Sequence, residues 1–173
     1  AYEAEGGCLG LNCPEGPKGC AGIASYYSAD PGDYQSLIQL VTRIQDTPAG
    51  ALGQAIAPLV DLDRLLALYA VDVAVSNVDG IAAAGHNFEI YQDEVTGRLG
   101  FFGRSMDLSL GNWEPRYRLD KPWGPPNSWC PDRVDRFYLR VLDEPDLKQA
   151  FHDKLRALHC GPMAPDAARI FAL

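Results

Sequence analysis

Four polar residues stand where their types and spacing suit transfer of a phosphoryl group. Asn77 and Asp79 lie two positions apart in Ser76-Asn77-Val78-Asp79-Gly80; Asn87 follows in Gly85-His86-Asn87, and Asp107 in Gly103-Arg104-Ser105-Met106-Asp107. A carboxylate such as Asp79 can orient an attacking hydroxyl, because it accepts the developing proton without competing as a strong nucleophile. The amide of Asn87 and the carboxylate of Asp107 are hard oxygen donors of the kind magnesium takes alongside water and phosphate. Each residue also has a plainer reading. Asp79-Gly80 is a turn signal after a helix, Asp107 a turn aspartate ahead of Leu108, and His86 a hydrogen-bonding spacer rather than a group that polarises substrate.

These residues need helices and a hairpin to hold them. Tyr34, Leu37, Ile38, Val41 and Ile44 fall at helical spacing, which predicts a helix over 34–46. Thr47-Pro48 predicts a short helix to about Ala57, with threonine as cap and proline at the first helical position. Asp61 caps the next, whose stripe of Leu62, Leu65, Leu66, Tyr69, Ala70 and Val73 makes it central and buried. Asp72 in that apolar stretch must be paired or hydrogen-bonded: it fastens the loop from Asn77 to Gly80, or it stands behind a catalytic group. Phe88 to Tyr91 and Leu99 to Phe102, with Asp93-Glu94-Val95-Thr96-Gly97 between, predict a hairpin. Helices resume near Pro131 to Leu142 and Pro145 to His159; Gly161-Pro162 stops the second, and Ala167 to Leu173 forms a last turn or two.

Residues 1–32, rich in glycine and proline, read as an irregular strap, and 33–173 as one domain. Gly10 and Gly16 are one residue too far apart for a phosphate loop of the Walker type, and Pro17 stands where its lysine belongs. The net charge of -8 and a pI near 4.7 argue against nucleic acid, which needs a basic stripe. No apolar run is long enough to span a bilayer, and the start at Ala1 leads us to expect a processed or excised piece of a longer protein. Five cysteines (Cys8, Cys13, Cys20, Cys130 and Cys160) lack zinc-site spacing; disulfides in an oxidising compartment fit better, with Cys160 either bridged or a small buried residue at a helix end. Trp113, Tyr117, Trp123 and Trp129 sit in a proline-rich loop with Arg116, Arg118 and Lys121, where they glue the loop down or stack a ligand.

Asn77-x-Asp79, Asn87-Phe88-x-Ile90-Tyr91, Thr96-Gly97-Arg98 and Asp107-Leu108-Ser109-Leu110-Gly111, in that order, resemble the core of the spore-coat CotH kinase family over roughly residues 33–111. The resemblance implies an α+β, mostly helical fold, the C-terminal lobe of an atypical protein kinase, with a small hairpin between the catalytic and metal loops. It implies Asp79 and Asn77 in the catalytic loop, Asn77 as a brace, and Asn87 and Asp107 as ligands of Mg2+ or Mn2+ with ATP. It further implies a secreted or cell-surface location, a protein substrate, and another chain or segment supplying the N-terminal lobe, whose phosphate-holding lysine has no counterpart here. The chain also departs from the family's Pro-Trp-Asp-x-Asp cluster, since Ser105 replaces one of its two acids. That departure keeps a second reading open, a non-catalytic structural or adhesive module on the same fold; a ligand-binding domain using the tryptophan loop is a third.

Overall fold

Leu37, Leu40, Val41 and Ile44 recur every three or four residues, and all four are buried on one side of helix α1 (Gln35–Asp46). The structure is a computed structural model that describes residues 2–4, 27–29, 35–77, 80–82, 87–107, 109–110 and 136–163. Helix α2 (Leu52–Ile56) follows, then α3 (Leu62–Ala74), strands β3 (Phe88–Gln92) and β4 (Leu99–Gly103), and helices α4 (Arg136–Leu142) and α5 (Pro145–Cys160). Strands β1 (Tyr2–Ala4) and β2 (Tyr27–Ala29) fall inside residues 1–32, where composition predicts only an irregular strap. The hairpin is accordingly half of a four-stranded antiparallel sheet of order β2-β1-β3-β4, so the architecture is α+β.

Helix α3 is central, packing against both α5 and β4. Asp61 starts it by accepting the Arg64 amide at 3.3 Å. Leu65, Leu66, Tyr69 and Ala70 are buried, and the Tyr69 ring meets Tyr138 of α4 edge-on at 4.8 Å. Val71, Val73, Ala74 and Val75 are only half-buried, so the end of α3 is less enclosed than its apolar run suggests. On α5, Phe151 is buried, with Leu147, Leu155 and Leu158 packed partly against the core.

The predicted start of α2 is corrected. Thr47 does not cap it; its hydroxyl donates to the Arg43 carbonyl at 2.6 Å and closes α1. The Arg140 guanidinium donates to the carbonyls of Ile44 and Thr47 at the same helix end. The chain then turns through Gly50 at φ +81°, and the first amide of α2, that of Leu52, donates to the Glu144 carboxylate at 3.0 Å. Pro48 therefore belongs to the turn.

Cys160 ends α5 as an exposed free thiol, not the small buried residue the sequence allowed. Cys8, Cys13, Cys20 and Cys130, the tryptophan loop and residues 164–173 lie outside the described residues. Among the described residues no helix is long and apolar enough to cross a membrane.

Candidate functional site

Two loops meet at the C-terminal end of α3. The first leaves the helix through Ser76 and Asn77. The Ser76 amide donates to the Val73 carbonyl at 3.1 Å and the Asn77 amide to the Asp72 carbonyl at 2.8 Å, with Ser76 at φ +54°. This is the paired bond set of a helix ending in a left-handed residue, with serine where glycine is usual. The second loop leaves β4 at Arg104 and runs through Ser105 and Asp107 to Leu110, whose amide donates to the Val75 carbonyl at 2.6 Å. One bond thus ties the Asp107 loop to the helix end from which the Asn77 loop departs.

The hairpin ties them a second time. Phe88 pairs with Gly103 at its open end, and one step further out the Arg104 amide donates to the Asn87 carbonyl at 2.7 Å. Asn87 is therefore held against the first residue of the Asp107 loop. Four non-glycine residues have left-handed backbones among the described residues: Ser76 (φ +54°), Asn87 (+55°), Ser105 (+46°) and Leu110 (+57°). All four sit in these two loops. Such conformations cost on the order of 1–2 kcal/mol each and persist where the surroundings dictate them, which is typical of working sites.

Asn77 is fully buried, and its side-chain amide donates to Asp72 Oδ1 at 3.0 Å. That bond directs the side chain back to the last turn of α3. Asp72 itself is buried and accepts the Ala82 amide at Oδ2, 3.3 Å away, so it fastens the loop. Burial pushes its carboxyl above the usual range, against the opposing pull of the bonds from Asn77, Ala82 and Ile81. Gly80 packs so closely here that a Cβ would lie 2.3 Å from Asp72 Oδ2 and 2.5 Å from Asn77 Nδ2. Asp79 and His86 lie outside the described residues; Asn77 and Gly80 flank the two-residue segment that carries Asp79.

Asp107 is exposed, and its carboxylate accepts the Ser105 hydroxyl. Ser109 Oγ donates to the Met106 carbonyl at 2.5 Å, and Arg104 pairs with Glu89 of β3 at 3.3 Å. The amide of half-buried Asn87, the Asp107 carboxylate and the Ser105 hydroxyl supply hard oxygen, which suits magnesium or manganese better than zinc. Among the described residues no cluster of three or more His, Cys, Asp or Glu side chains is gathered as a cation site.

Sequence reasoning passed over Ser76 and Leu110, which fix the two loops through backbone shape. The signal for Ser76 was faint, since only glycine or asparagine at that point announces a left-handed helix end. Leu110 gave none, since a bulky leucine is rare at positive φ.

Among curated proteins none matches the chain. The family model described as CotH kinase protein matches residues 21–170, well beyond the 33–111 over which the motifs carry the likeness. The chain belongs to the CotH kinase family.

Proposed function

We propose that this domain is the C-terminal lobe of a CotH-type kinase and moves the γ-phosphate of ATP to a protein hydroxyl, outside the cytoplasm. The supporting observation is the bond from the Leu110 amide to the Val75 carbonyl, 2.6 Å, which keeps the Asp107 loop beside the loop that carries Asp79. Asp79 accepts the proton of the attacking hydroxyl, and Asn77 braces it from behind. Asn87 and Asp107 would hold Mg2+ or Mn2+, which when bound neutralises charge developing on the phosphates. The lysine that grips the nucleotide comes from another segment or chain. Ser105 answers the Asp107 carboxylate with a hydroxyl, so this site works with one acid fewer than the family's cluster.

The test is phosphoryl transfer from labelled ATP by the full-length protein, with and without Asp79→Ala. A carboxylate needed only in the transition state predicts a loss of orders of magnitude in turnover with nucleotide affinity nearly unchanged. If the wild-type protein labels nothing across a broad acceptor panel, the non-catalytic structural module replaces the kinase. If Asp79→Ala is as active as wild type, another residue takes the proton.

A further inference from the structure

Asp72 sits where a carboxylate is expensive three times over. It is 1% exposed, which takes its charge out of water. It lies in the last turn of α3, where the helix dipole disfavours a negative group. It also requires Gly80 within reach, since any side chain there would collide with Oδ2. Ending the helix does not require it. The amides of Ser76 and Asn77 already close α3 through backbone bonds to Val73 and Asp72.

What the carboxylate adds is a hold on the loop from two directions. Oδ1 takes the Asn77 side chain at 3.0 Å, ahead of the two-residue segment 78–79; Oδ2 takes the Ala82 amide at 3.3 Å, behind it. Gly80, the first residue after that segment, rests against both groups. Asn77 is thereby fixed twice to one residue, by its backbone and by its side chain. A buried polar network satisfied in this way defines one geometry, which a greasy contact of equal area would not.

We propose that Asp72 is a positioning residue of the phosphotransfer site: its carboxylate grips the chain at Asn77 and at Ala82, on either side of the segment to which Asp79 belongs in the sequence. The proposal rests on the kinase reading above. It gives Gly80 a role too, as the only residue type that lets the loop come down onto the carboxylate.

The test uses Asp72→Asn and the reciprocal double variant Asp72→Asn/Asn77→Asp in the full-length protein. The single variant turns one acceptor into a donor that faces a donor; the double restores complementary pairing of residue 72 with residue 77 and with the Ala82 amide. Turnover of the single variant should fall about 10²-fold, as small misplacements of a catalytic group do, with the KM for ATP unchanged. The double variant should recover most of that loss. Amide exchange at Asn77 and Ala82 should quicken in the single variant and slow again in the double. A folded Asp72→Asn protein that is less stable yet turns over within about twofold of wild type would show a merely structural carboxylate and overturn the proposal. A double variant no better than the single would overturn it as well. Should the wild-type protein transfer no phosphate at all, the kinase reading fails by itself. The exchange experiment then decides alone: unchanged exchange at Asn77 and Ala82 in Asp72→Asn refutes the grip, and quickening confined to 77–82 upholds it.

Discussion

The two loops of the site differ in where their ties lie, buried in the first and exposed in the second. The loop after α3 is fastened from inside by a buried carboxylate, a buried amide and a glycine packed on both. The loop after β4 is exposed along residues 104–107; apart from the local bonds of Ser105 to Asp107 and Ser109 to Met106, it is tied to the rest of the fold at its ends, at Arg104 by the Asn87 carbonyl and at Leu110 by the Val75 carbonyl. A loop that must present one group at a fixed angle gains from internal ties. A loop whose acid meets a hydrated ion gains from staying open to water. On the proposed function, order is concentrated where the proton would move, and access where the metal would enter.

The largest test of this contrast is Gly80→Ala. A methyl 2.3 Å from Asp72 Oδ2 must push apart the network, and we expect a loss of about 3 kcal/mol in urea unfolding. A loss under about 0.5 kcal/mol would mean that the first loop is as yielding as the second. Next comes Asp72→Ala, which removes the buried acceptor of the Asn77 side chain and should cost about 2 kcal/mol.

The buried acid of the first loop and the exposed acid of the hairpin turn should also respond to pH with opposite sign. Asp72, shifted up by burial from the ordinary 3.8, favours the folded state below that value, and its contribution is lost as pH rises through the raised value. Asp93, in the hairpin turn, is shifted down, chiefly by the amide and hydroxyl of Thr96. Its contribution is present above 3.8 and lost as pH falls through the lowered value. Stability measured against pH should therefore lose its decline above 3.8 in Asp72→Asn and soften its acid decline in Asp93→Asn. Parallel curves for wild type and both variants would refute the assignment.

A smaller effect is expected from Ser76→Gly. It relieves a left-handed serine at the helix end and should stabilise the fold by about 0.5–1 kcal/mol, read as a higher urea midpoint. Smallest for the fold is Asp107→Asn, which should change stability by less than about 0.5 kcal/mol because the side chain is exposed. The same variant should abolish magnesium binding measured by calorimetry in the presence of ATP. Equal binding by both proteins would remove Asp107 from the metal site.

How much of this was legible in the sequence depended on how far each cause lies along the chain. The start of α3 could be read because its cap, Asp61, is three residues from the amide it accepts. The start of α2 could not, because its first amide is satisfied by Glu144, 92 positions away. The hairpin was plain from its two short apolar runs and the Asp93 to Gly97 turn between them, whereas three-residue strands such as β1 and β2 leave no period to detect. Asp72 was suspected because an acid in an apolar stripe demands a partner, and the structure supplies Asn77 and Ala82. What could not be read was the tie between the loops, since Leu110 acts through its backbone and any residue type carries an amide.

The hairpin register also makes β3 and β4 a gauge of length. Five consecutive pairs, from Gln92 opposite Leu99 to Phe88 opposite Gly103, place Asn87 across from Arg104, so the two halves of the site face each other because the strands match residue for residue. An added residue at the turn, where Val95 is almost wholly exposed, would lengthen the tip and leave the far end untouched. The same residue added between Phe101 and Phe102 would shift everything after it by one step and turn alternate side chains over. Asn87 would then face the wrong neighbour, with Asp107 carried out of step though neither had been altered. Length variation in this protein is therefore tolerable at one end of the hairpin and ruinous in its arms.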